Sequence, residues 1–177
     1  MHRYVKYCFT YFIDLIGYFM SATGLPVLDD LDRRILNVLQ TDSSHTNTEL
    51  AALVHVSPPT CLRRVKQLTD SGVIERQVAI VAPDKVGSRL SAIVEITLDV
   101  QAAERMQEFE RLAAAESAVL QCYRVSPGPD FVLVVQVADM PAYHALAHRL
   151  FTAHANVRNV KAYFSTHRSK FDTRVEV

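Results

Sequence analysis

Apolar residues recur at helical spacing through residues 28–40, where Leu31, Ile35, Leu36, Val38 and Leu39 share one side of an amphipathic helix. Asp29, Asp30 and Asp32 crowd its first turn, where the helix dipole favours negative charge. A polar loop over residues 41–45 follows. Thr46 and Glu49 then have capping-box spacing, and Leu50, Ala51, Leu53 and Val54 supply the inner face of a short second helix. His55 and Val56 form a tight connection to Ser57, which caps a third helix opening on Pro58 and Pro59. The second proline is unusual there, because it disfavours helical geometry in the residue before it. The spacing predicts that this helix runs to about Asp70 with Leu62, Val65 and Leu68 inward, and that Gly72 stops it.

Residues 73–81 read as a turn into a strand, broken again by Pro83 and Gly87 as a hinge. Beyond it the pattern alternates. Strands are expected over residues 91–98, 119–125, 131–137 and 157–166, with helices over 102–115 and 140–154. Ser126-Pro127-Gly128-Pro129-Asp130 is a turn by composition. The order βαββαβ is the ferredoxin-like arrangement, so the fold class is α+β. The expected division is a helical domain over residues 28–76, a linker strand or hinge over 77–91, and the ferredoxin-like domain over 92–177.

Composition narrows the chemistry. The 177 residues have a hydrophobic fraction of 49%, enough for packed cores, and no net charge, so any nucleic-acid contact has to come from a local patch. Cys8, Cys61 and Cys122 are odd in number and lack metal-ligand spacing, which points to a reducing, cytoplasmic setting without disulfides. Residues 4–20 are apolar and aromatic after a basic start, like a signal-peptide core or a short anchor, but Lys6 and Asp14 interrupt them. Met20 opens a stretch that reads as an ordinary protein start, so an extension over residues 1–27 with Met20 as the true start stays open beside a native segment. No membrane association is expected.

Three short helices with a tight turn between the second and third make a helix-turn-helix, whose third helix enters the DNA major groove. Arg63, Arg64 and Lys66 give that helix positive charge without an acid among them. Pro59, Thr60 and Arg63, and in part Arg64 and Lys66, face outward: short side chains near the helix start with cations behind for base edges or phosphates. Ser57 and the N–H groups at the start of this helix, and Thr46 and Asn47 at the start of the one before, are placed to hold phosphates. The competing reading is a solvated basic face on a structural helix.

The chain resembles the Lrp/AsnC family of transcription regulators. The residues that carry the resemblance are LDDLDRRIL at 28–36, SPPTCLRRV at 57–65, GVI at 72–74, Pro83 and Gly87, VEITL at 94–98 and DMPAY at 139–143. The resemblance implies a winged helix-turn-helix followed by the family's ferredoxin-like domain for regulation of amino acid metabolism (the RAM domain). It also implies homodimers paired through their sheets and assembling into tetramers or octamers, a pseudo-palindromic double-stranded operator, and an amino-acid effector bound where neighbouring domains meet. Relatives often carry glycine-aspartate-x-aspartate between the second and third strands, which maps to Pro127, Gly128, Pro129 and Asp130. Only the last aspartate is kept, and the two prolines remove two backbone donors. Ser126, Gly128 and Asp130 remain the effector-binding candidates, with Asp130 suited to an α-amino group; a rigid turn without a ligand is the alternative. At His55 relatives commonly have glycine, which implies a positive φ there.

His144 and His148 are four apart with His154 nearby, but no acidic or cysteine partner stands at ligand spacing, so an exposed helix face is expected rather than a metal site. No nucleophile–base motif, phosphate loop or dinucleotide fingerprint occurs, so neither a catalytic residue nor a cofactor is assigned. Two other readings stay open. One is an enzyme resembling the haem-pathway decarboxylases built on this two-domain plan. The other is a subunit that modulates a related regulator through mixed oligomers.

Overall fold

The computed structural model describes residues 27–87 and 90–177, so the apolar residues 4–20 and the start at Met20 lie outside the described residues. The chain divides into two units, one ending at Val78 and also taking in Asp172–Val177, the other spanning Ala79–Phe171. The tail therefore groups with the helical unit and not with the sheet, where the sequence placed it.

In the helical unit, α1 (Asp30–Thr41), α2 (Asn47–Leu53) and α3 (Pro58–Asp70) surround a core of Ile35, Leu36, Leu50, Ala51, Val54, Cys61 and Leu68. Asp29 caps α1 in a box with Asp32, and Thr46 caps α2 in a box with Glu49. Each box satisfies N–H groups that have no partner inside the helix. Two core expectations are corrected. Leu53 and Leu62 are 51% and 59% exposed, because the inward side of α3 is set by Cys61, Val65 and Leu68 and that of α2 by Leu50, Ala51 and Val54. The Val175 backbone is held by the Gln40 side chain, which accepts from its N–H at 2.8 Å and donates to its carbonyl at 3.1 Å, while Val177 packs against the helical core.

No strand forms over residues 73–81; Val78, Ile80 and Val81 stay exposed. A strand needs a ladder partner for its backbone, and none of the described residues provides one.

The second unit is a four-stranded antiparallel sheet in the order β2-β3-β1-β4, formed by β1 (Leu90–Leu98), β2 (Val119–Arg124), β3 (Phe131–Val137) and β4 (Val157–Phe164). The helices α4 (Ala103–Ala115) and α5 (Met140–Ala147) cover one face, giving the βαββαβ order read from the sequence. Alternation in β1 and β3 buries Ala92, Val94, Ile96 and Leu98 against Phe131, Leu133, Val135 and Val137, with Phe109 of α4 packed on Phe131 at 5.0 Å between rings. The expected helix over 140–154 is not one α-helix: α5 passes into a π-helical turn, His148–Thr152, which lets the adjacent Leu150 and Phe151 both turn inward.

Candidate DNA-binding face and effector turn

The connection between α2 and α3 ends α2 in the left-handed region. His55 has φ 57°; its N–H donates to the Ala52 carbonyl at 3.2 Å, and the Val56 N–H donates to the Ala51 carbonyl at 2.9 Å. These are the paired bonds of a Schellman ending, with histidine at the position glycine usually takes. The Asn47 amide donates to the Pro58 carbonyl at 2.9 Å, tying the start of α2 to the start of α3.

At the start of α3, Ser57 occupies the cap position without a side-chain bond to the helix backbone; its hydroxyl lies 2.8 Å from that of Thr60. Pro58 and Pro59 carry no N–H, and the Cys61 N–H is bonded to the Ser57 carbonyl. Of the first three helical residues only Thr60 brings a backbone donor, so this end offers a phosphate less than an ordinary helix start does. Thr46 is similarly occupied. Its hydroxyl and N–H both bond the Glu49 carboxylate, at 2.8 and 2.7 Å, which holds the Glu49 carboxyl below its usual range, the backbone bond contributing most.

With Cys61 and Leu68 buried, the opposite side of α3 presents Pro59, Arg63 and Lys66 in one exposed stripe. Thr60 is half-buried at its edge, and Leu62 flanks it from the other side. Leu62 is the outward residue that sequence reasoning missed. A helical wheel centred on Cys61 in place of Leu62 would have found it.

Arg64 does not share the stripe. Its guanidinium turns toward α1, with Nη2 2.7 Å from Asp29 Oδ2 and Nη1 3.3 Å from Asp32. The Asp29 carboxyl lies below its usual range, chiefly through the Asp32 N–H bond, with the Arg64 charge adding to it.

In the sheet unit, Ser126, Pro127 and Gly128 are exposed at the turn between β2 and β3, and Gly128 has φ 128°. Asp130 is 6% exposed. Its Oδ2 accepts the Leu98 N–H at 2.6 Å and its own N–H donates to the Ile96 carbonyl at 2.8 Å, so the side chain finishes the ladder at the end of β1. Of the three effector candidates, Ser126 and Gly128 face solvent while Asp130 fixes the turn to the sheet.

His144 and His148 are exposed on the helix that begins with α5, and His154 stacks edge-on against Phe109 at 5.6 Å. Among the described residues no cluster of metal-ligating side chains forms, and no helix is long and apolar enough to cross a membrane.

Both units are similar to known proteins. Residues 28–75 match the family model described as winged helix-turn-helix DNA-binding, and residues 91–175 match the Lrp/AsnC ligand binding domain. An HTH-type transcriptional regulator of Haemophilus influenzae is 40% identical over 157 residues, covering 89% of this chain and 94% of its own. The leucine-responsive regulatory protein of Escherichia coli is 32% identical over 150 residues, covering 85% of this chain and 92% of its own. A transcriptional regulator of Neisseria meningitidis, solved as a complex with L-Met, superposes with a TM-score of 0.79 at 30% identity, over 84% of this chain and 96% of that one.

Proposed function

We propose, since this chain belongs to the Lrp/AsnC family of DNA-binding transcriptional regulators, that the outward stripe of α3 enters the major groove and reads operator bases. The observation that carries this is the placement of Pro59, Arg63 and Lys66 together on the exposed side of a helix whose other side is built into the core. Arg63 takes the base-reading role, Lys66 a phosphate, and Leu62 and the Thr60 methyl offer apolar contact to thymine methyls. Thr46, Asn47 and Ser57 flank the groove and set the starts of the two helices. Binding curves on a duplex selected by the protein from a random-sequence pool test this. Arg63→Ala is expected to cost roughly 1–3 kcal/mol and to relax preference at one base position, and Lys66→Ala to weaken all sequences alike while lowering the salt slope by about one. Undiminished binding by both would take α3 out of the groove.

The regulator works in the cytoplasm as a homodimer on a pseudo-palindromic site, assembling further into tetramers or octamers. It answers to a small effector of amino-acid type. The ligand-binding description of the second unit and the L-Met complex of the meningococcal relative support that reading. The effector meets the chain at the turn from Ser126 to Asp130, through Ser126 and Gly128. Calorimetric titration with each of the common amino acids, read together with particle size, tests it. No heat and no change of size with any of them would remove the amino-acid effector.

A further inference from the structure

Arg63 and Arg64 are neighbours on α3 and do different work. The Arg64 side chain is 23% exposed, and Asp32, one of its two partners, is buried. Its guanidinium spans two carboxylates, with Nη2 2.7 Å from Asp29 Oδ2 and Nη1 3.3 Å from both Asp32 oxygens, while Nε is buried without a hydrogen-bond partner. The same carboxylates start α1. Asp29 Oδ1 accepts the Asp32 N–H at 2.9 Å, and Asp32 Oδ2 accepts the Asp29 N–H at 3.3 Å. One cluster thus fixes the first turn of α1 and the middle of α3. A planar fork held by two carboxylates fixes direction as well as distance, which an ammonium cannot do. Direction matters here, because a rotation of α3 by one residue's step of about 100° would carry Arg63 out of the groove.

We propose that Arg64 is a positioning residue: the Arg64–Asp29–Asp32 cluster is a strut that sets the rotation of α3, and Arg64 itself does not touch DNA. This rests on the reading of α3 as the groove helix. The strut and a direct contact differ in sign. If Arg64 touched DNA, replacing Asp29 and Asp32 by asparagine would free it, remove two negative charges near the phosphates, and tighten binding. Under the strut, Asp29→Asn with Asp32→Asn keeps a good cap residue but loses discrimination between the selected duplex and a random one by roughly tenfold.

The full chain is used, and circular dichroism at the assay temperature establishes that each variant is folded. Arg64→Met is expected to show the same loss with an unchanged salt slope, and combining it with the asparagine changes is expected to add nothing further. Arg64→Lys keeps the charge, so it would rescue a phosphate contact; under the strut it does not restore discrimination. Tighter binding by the asparagine variant, a salt slope lowered by about one in Arg64→Met, rescue by lysine, or additive losses would each overturn the strut. Those results leave the groove reading intact if Arg63→Ala still weakens binding. Full-strength binding by both Arg63→Ala and Lys66→Ala would instead remove the groove reading, and the strut's role in recognition with it.

Discussion

His55 carries a side chain where the backbone favours none. At φ 57° the Cβ crowds the following carbonyl, a strain of about 1–2 kcal/mol that histidine tolerates better than most residues. His55→Gly relieves the strain but loosens the unfolded chain, which returns about 0.4–1 kcal/mol. The net expectation is a gain of about 0.5–1 kcal/mol in the helical unit, read as a shifted urea midpoint at constant slope. A loss of stability would mean that the imidazole makes a compensating contact. Single residues also mark where sequence reading stops. The positive φ at His55 was legible only through the family resemblance, because relatives commonly have glycine at that position. The inward stripe of α3 was not, because Leu62 and Cys61 are adjacent and either completes a helical period with Val65 and Leu68. Arg64 was unreadable for a different reason: its partners lie 32 and 35 positions away, and only packing brings α1 and α3 together.

Among elements, the capped helices were the most legible, because both boxes are local and their signature spans four residues. They also give the helical unit a pH dependence. The Asp29 and Glu49 carboxyls lie below their ordinary values of 3.8 and 4.5. A depressed folded value means that the stabilisation is complete above the unfolded value and is lost as pH falls through the folded one. Acid titration by far-ultraviolet circular dichroism should therefore show helix loss beginning below about pH 4.5. Asp29→Asn with Glu49→Gln keeps both caps in neutral form and should flatten that part of the curve; an unaltered profile would place the acid sensitivity elsewhere. Two elements escaped the sequence because their partners are distant or missing. Residues 73–81, with Val73, Ile74, Val78, Ile80 and Val81 around a polar centre, have strand composition but no ladder partner among the described residues, and the tail is held by a glutamine 135 residues away. Removing Asp172–Val177 deletes the two hydrogen bonds to Gln40 and the Val177 packing, so it should destabilise the helical unit by about 1–2 kcal/mol. Amide exchange should show the loss in α1 and leave the sheet's protection unchanged; equal loosening of both units would assign the tail a global role.

On the scale of the whole molecule, each unit closes its own core, and the sheet unit leaves one face of its sheet uncovered by its own helices. On that face Ile93 pairs with Val134 on one side and Tyr163 on the other, and Val132 pairs with Tyr123. Ile93, Tyr123 and Tyr163 are 48%, 52% and 52% exposed, a contiguous apolar patch of the kind that marks an interaction surface. An operator with two related half-sites needs two reading helices, and a second copy meeting this face would supply the second one. Ile93→Glu places a charge at the centre of the patch with Glu95 close by on the same face. Burying it would cost several kcal/mol, so the proposed pairing through this face should weaken by roughly a hundredfold or more. Light scattering should then find monomer where the wild type is larger. Binding to the selected duplex should fall much further than binding to a random one, since the second half-site is lost while the α3 surface is intact. A variant that stays dimeric would move the interface off the sheet. A monomer with undiminished site preference would break the link between pairing and operator symmetry.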